Sequence, residues 1–395
     1  MRLKHLLVAV LASLAVLADT GAAAGGAVAA SEQLPITAPP PGSDTWSHQR
    51  FAGRNPPDPV TAAPRSVAGF FDALPPAELQ QLAVRFPLVV GNFDGAPPEL
   101  RYRANALALT TERTAALARA ADPLRSVAER AEAAARADQY EQLLRPGRQI
   151  LAFDPRGRGL VVEVYGDLTA AQRISVVVPG ADTDLAHFDR ETDPLRSPTG
   201  MAQALRDEEL RRSPAARTAV IAWAGYTAPM GLGPDSATAR LAEAAAPRLE
   251  RLLAGLAATA VRQASPPALF CHSYGSVVCG AAAPHIRPAR GTADDQGGVT
   301  DMVVFGSPGM GVDHIGQLGD GVRLWAARDA SDWIGSVPYV EIAGLGHGAD
   351  PTDPTFGARV VSAAGAEGHT GYLAPGTASL RNFAAIALGR YNEVG

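Results

Sequence analysis

The sequence predicts an α/β fold: a mainly parallel sheet flanked by helices, preceded by an N-terminal helical segment. Two observations carry this. From Gln149 onward short apolar runs alternate with helical patterns, and one run, ALFCHSYGSVVCG at 268–280, passes from strand to helix through a single sharp turn. At 395 residues, 47% hydrophobic and 19% charged, the chain can build one large core plus an accessory segment.

At the N-terminus, Arg2 and Lys4, an apolar run from Leu6 to Leu17 and small residues from Ala22 to Ala30 form the three parts of a secretory signal, with cleavage expected near Ala24 or Ala30. The run is shorter than the roughly 20 residues a spanning helix needs, and Asp19 breaks the apolar pattern just beyond it. Residues 1–30 are therefore read as a signal peptide, with retention as an anchor the weaker alternative, and the rest as secreted, extracellular and without a stable membrane span. Residues 31–66, rich in Pro, Ala, Ser and Thr, read as a linker, with Trp46 and Phe51 as candidates for docking. Residues 67–148 read as an N-terminal helical region. FFDALPPAELQQLAVRFP places Leu79, Leu82 and Val84 along one face, and 111–144 offers Leu117, Leu124, Val127 and Ala134 for another stripe, interrupted at Pro123.

Residues 149–395 carry the α/β pattern. ILAFD, LVVEVYG, ISVVVPG, TAVIAWAGY, PALFCHSYG, DMVVFGSPG, VRLWAAR and ARVVSAA read as strands, with helical patterns at 236–258, 274–285 and 377–391. A formal net charge of -5 without a basic block argues against nucleic-acid binding, which needs clustered Lys or Arg. Lys4 is the sole lysine, so Ser-Lys and Schiff-base chemistry are excluded from the exported part. Nothing in the pattern sets an oligomeric state.

The segment 268–280 has the form of a nucleophile elbow, in which a strained turn projects a hydroxyl and small flanking residues let strand and helix approach. Ser273 takes the nucleophile position, with Cys271 where the first Gly of G-x-S-x-G is usual. The bland alternative is a capping Ser at an ordinary turn. Cys271 itself, beside apolar Phe270 and without a base, is a poor nucleophile.

In α/β hydrolases the acid and then the base follow the nucleophile along the chain. Asp329 and Asp332 both lie in the loop after VRLWAAR; Asp332 is preferred because its turn leads into an apolar residue and Pro338. His369 is preferred over His347 because it follows the last predicted strand. The oxyanion donors would be backbone N–H groups of Tyr274 and of the loop after the third strand, at Gly180 and Ala181. Ser307 in GSPGMG, with Pro308 behind it, starts no helix and is read as lining the site. His347, Asp350 and Asp353 could ligate a metal, but Pro351 and Pro354 favour a surface turn, and no metal or cofactor is expected. Cys271 and Cys279 leave two readings open, a disulfide or two buried thiols.

Together VVVPGADTD, CHSYGS, VVFGSPGMGVDH and GHTGYL, with RFPLVVGNFDGAPPELRYRAN upstream, resemble an uncharacterised α/β-hydrolase family of secreted serine hydrolases common in high-GC Gram-positive bacteria. The resemblance runs from about Phe70 onward, and members of that family show Gly at the position of Cys271. It implies the α/β-hydrolase fold. The function expected is a secreted, esterase- or lipase-like carboxylic ester hydrolase with Ser273, His369 and Asp332 as its triad. Its substrate would be a small-molecule or lipid-like acyl ester. A peptidase or amidase using the same triad, and a non-catalytic binding protein on the same fold, are the alternatives.

Overall fold

The structure, a computed structural model, describes residues 32–260, 264–286, 298–319 and 322–395. The signal peptide expected at 1–30 lies outside the described residues.

All eight predicted strands form and join one sheet. They are β1 (Ile150–Asp154), β2 (Leu160–Gly166), β3 (Arg173–Val178), β4 (Thr218–Ala224), β5 (Ala268–His272), β6 (Asp301–Phe305), β7 (Arg323–Ala327) and β10 (Arg359–Val360). A small hairpin, β8 (Glu341–Ile342) with β9 (Leu345–Gly346), stands apart. The sheet order is β1-β2-β4-β3-β5-β6-β7-β10. In that order the strands from β4 to β10 run parallel, while β1 and β2 are added antiparallel at one edge. The central strands are buried along their whole length, as a sheet covered on both faces requires. One face packs on α8 (Arg240–Thr259) and α9 (Gly275–Ala282), the other on α7 (Pro198–Arg212) and α10 (Ala378–Ala387). The chain order turns back between β3 and β5, so a crevice opens at the carboxyl ends of these two neighbours, where open α/β sheets place their ligands.

The segment 31–66, read as a linker, is not a free tether over its described part. It contains helix α1 (Ser43–Ser47) and packs on the body. Trp46 is fully buried among Phe51, Phe71, Phe86 and Phe93, and its indole N–H donates to Pro57 O at 2.8 Å. Enough aromatic area is removed from water there to offset ordering a Pro-rich stretch.

Helices α2 (Pro64–Asp72), α3 (Pro76–Arg85), α4 (Pro87–Gly91), α5 (Pro98–Ala121) and α6 (Val127–Leu143) make up the helical region, which starts at Pro64 rather than at 67. Its expected stripes are corrected in part. Val84, Leu117, Leu124 and Val127 are exposed, Leu124 by 94%, and Ala134 is exposed too. The helices approach through Ala104, Ala108, Ala116, Ala133 and Ala137, whose small side chains allow close packing.

This region also closes the edge of the sheet. Asn105 Nδ2 donates to Ile150 O at 2.9 Å, Arg101 Nε to Leu151 O at 3.0 Å and Asn92 Nδ2 to Phe153 O at 2.8 Å. Three carbonyls of edge strand β1 thus find partners, which covers an otherwise open edge. No residue of 67–148 lines the cavity over Ser273. The region braces the sheet and does not roof the site.

Candidate active site

Strand β5 ends at His272, and the chain turns into α9 through Ser273 and Tyr274. Ser273 has φ 53°, a left-handed conformation that an L residue holds only when its surroundings impose it. Those surroundings are tight. A Cβ on Gly275 would lie 2.3 Å from Val178 O, and one on Gly180 would lie 2.6 Å from Ser273 Cβ and 3.0 Å from its Oγ. Ser273 N–H donates to Phe305 O at 3.0 Å and Ser276 Oγ to Cys271 O at 3.1 Å, which fixes the turn from both sides. Cys271 and Cys279 are disulfide-bonded, tying the end of β5 to the middle of α9 across the elbow.

The loops after β5, β7 and β10 bring three predicted residues together. Ser273 Oγ–H donates to His369 Nε2 at 2.8 Å, and His369 Nδ1–H donates to Asp332 Oδ1 at 2.9 Å. Asp332 also accepts from Ile334 N–H at 2.9 Å and from Tyr372 Oη–H at 2.6 Å. Burial alone would raise the Asp332 carboxyl; the hydrogen bond and charge of His369, with Tyr372 and Ile334 N–H, outweigh it and hold the group below its ordinary value. The Trp333 ring lies 4.8 Å from the His369 ring.

Asp329 stays apart from the histidine. Its carboxylate accepts from Ser331 N–H at 2.9 Å, and its own N–H donates to Tyr372 Oη at 3.0 Å. His347 borders the same cavity, but its Nε2–H donates to Ser236 O at 2.8 Å. Asp350 is ion-paired with Arg328, and Asp353 accepts from Thr355 N–H at 2.8 Å. Ser307 departs from expectation: its hydroxyl is taken up by Gly309 within its own turn, and Pro308 is the residue that reaches the cavity. The Tyr274 and Ala181 amides donate to no protein acceptor among the described residues, and both residues line the cavity together with Ser273.

Two residues of this cluster are not signalled by the sequence patterns. His272 is fully buried, and its Nε2–H donates to His369 O at 2.7 Å. Burial, helped by the neighbouring His369, pushes its pKa down to about 3, so the ring is neutral. Tyr372, the second, is held protonated by burial and by Asp332.

A cavity of ≈ 880 Å³ opens over Ser273, walled by the loops that follow β3, β4, β6 and β7, including the β8–β9 hairpin.

Residues 154–342 match the family described as alpha/beta hydrolase. The chain has the α/β-hydrolase fold and resembles that family over this stretch. The matched stretch holds Ser273 and Asp332, and His369 lies beyond it. An uncharacterised protein of Mycobacterium tuberculosis (strain ATCC 25618 / H37Rv) is 30% identical over 190 residues, covering 44% of this chain and 62% of that protein. A second uncharacterised protein of that strain is 26% identical over 390 residues, covering 84% of this chain and 56% of its own. This chain thus spans less than two thirds of the length of these relatives. Among solved structures it is similar to esterase PE8, at 17% identity and a TM-score of 0.37 over 58% of this chain and 98% of that one. It is also similar to a dienelactone hydrolase from Anabaena variabilis ATCC 29413, at 13% and 0.32 over 60% and 90%. Likeness at that level says nothing of substrate.

Proposed function

We propose that this α/β hydrolase is an exported serine hydrolase that cleaves carboxylic esters. The observation that carries the reading is the continuous hydrogen-bond chain from Ser273 Oγ through both His369 nitrogens to Asp332. In this reading Ser273 Oγ attacks the acyl carbon while its proton passes to His369 Nε2, and Asp332 stabilises the resulting imidazolium. The Tyr274 and Ala181 N–H groups, with Gly180 giving close access, receive the charge that develops on the carbonyl oxygen. Collapse returns the proton from His369 to the departing alcohol and leaves an acyl-enzyme. A water activated by the same imidazole then releases the acid.

Preference for esters over amides rests on their lower intrinsic barrier and on analogy with the superfamily. Export belongs to the same proposal, and the Cys271–Cys279 disulfide supports it, because such bonds persist in oxidising compartments. A panel of p-nitrophenyl esters of increasing acyl length, set against peptide anilides, tests the reading. Ester turnover that disappears in Ser273→Ala is expected. Turnover of anilides alone would make the protein an amidase, and ester turnover that survives Ser273→Ala would overturn the mechanism.

A further inference from the structure

The charged side chains around the cavity are not evenly satisfied. Asp182, Arg190, Asp193 and Arg196 all line it. Asp182 accepts from Gly231 N–H at 2.7 Å, and Asp193 and Arg196 face each other at 3.7 Å. Arg190 has no carboxylate within ion-pair distance among the described residues, and its Nε is buried without a hydrogen-bond partner. The remaining wall is largely aliphatic, with Met201, Leu232, Ile334, Val340, Ile342 and Leu345 contributing.

We propose that the cavity takes an ester with an aliphatic stretch that ends in a carboxylate or phosphate, and that Arg190 binds that anion. The ester part rests on the serine hydrolase reading; the anion part rests on the cavity alone. A buried guanidinium N–H left unpaired is costly, and the planar fork of Arg matches the oxygen pair of a carboxylate or phosphate. Placed in a mostly apolar cavity, one such fork orients a chain whose body the aliphatic wall receives. Neutral esters lack the group that satisfies Arg190.

Binding is read by titration calorimetry on the Ser273→Ala chain, so no turnover is required. Monomethyl adipate is compared with methyl hexanoate, which has the same length and ends in a methyl group, and with the methyl ester of 6-phosphonooxyhexanoic acid. The expected result is a Kd at least about 10-fold lower for one or both anionic esters than for the neutral one. The lower of the two anionic values identifies which anion is recognised. Adding Arg190→Gln collapses the gap, and Arg190→Lys retains part of it. Equal Kd values for all three ligands in the Ser273→Ala chain, or binding of none, overturns the proposal without recourse to an Arg190 variant. A gap that persists in Arg190→Gln overturns it as well. If the gap is present but wild type does not hydrolyse these esters, the esterase reading falls and the anion site stands.

Discussion

The imidazole of His272 holds the backbone carbonyl of His369 at 2.7 Å, so the residue before the elbow serine is clamped to the histidine that accepts the serine's hydrogen bond. The clamp is built from a neutral ring. Its pKa of about 3 lies below the ordinary 6.5, so the unfolded chain takes up a proton that the folded chain refuses. Stability from this group is complete above pH 6.5 and is lost as pH falls from there toward 3, at up to about 1.4 kcal/mol per pH unit. Chemical denaturation across this window should show that slope in wild type and a flatter one in His272→Asn.

Glu209 on α7 gives the opposite sign. It is buried beneath β3, where Ser175 Oγ–H donates to it at 2.9 Å, and burial lifts its pKa from 4.5 to about 7. The folded chain keeps a proton there that the unfolded chain releases, so stability falls as pH rises from 4.5 to about 7 and then levels. Glu209→Gln should remove that fall, a gain on the order of 3 kcal/mol at pH ~8 relative to wild type. A difference between wild type and variant that stays constant across the window would contradict it. Because the His272 and Glu209 windows overlap, each is read as wild type minus its own variant.

Gly180 leaves no room for a side chain. The Cβ of Gly180→Ala would sit 3.0 Å from Ser273 Oγ, in the space that the proposed mechanism gives to the acyl carbonyl. A loss of about 100-fold or more in kcat/KM is expected, with unchanged circular dichroism. Retained activity would place the acyl carbon elsewhere.

Tyr372 tests how far Asp332 depends on its second donor. Tyr372→Phe removes the 2.6 Å hydrogen bond to Oδ2 and leaves the His369 contact in place. The expected effect is a roughly 10-fold fall in kcat at nearly constant KM, equivalent to about 1.4 kcal/mol. A purely structural role would instead lower the melting temperature without that split.

The disulfide spans a sequence separation of 8. Closing so short a loop restricts the unfolded chain by about 2.5 kcal/mol, so reduction, or Cys271→Ser with Cys279→Ser, should lower Tm by roughly 3 °C in a chain of this length. Thermal melts with and without reductant check it.

The parallel sheet was legible because its strands are buried on both faces and read as unbroken apolar runs. Helix α7 was not: PTGMAQALRDEELRR looks solvated, yet Glu208 and Glu209 are buried, and the usable signal was Ser197 capping the turn before Pro198. Leu124 and Val127 misled for the converse reason. Leu124 lies in the turn between α5 and α6 and Val127 is the first residue of α6, while the packing runs through alanines, which carry little hydrophobic contrast. In the site, Ser273, Asp332 and His369 could be named from chain order and strand ends. His272 and Tyr372 could not, because their partners are a backbone carbonyl and a carboxylate 40 residues away, contacts that exist only once the loops are in place.

The mechanism stands on Ser273 being a nucleophile activated by His369. Treating folded protein with a fluorophosphonate and mapping the adduct by mass spectrometry tests it most directly. A single phosphonyl group on Ser273, absent in Ser273→Ala and greatly slowed in His369→Ala, is the predicted result. Folded wild type that stays unlabelled, or that carries the label on another residue, would contradict it.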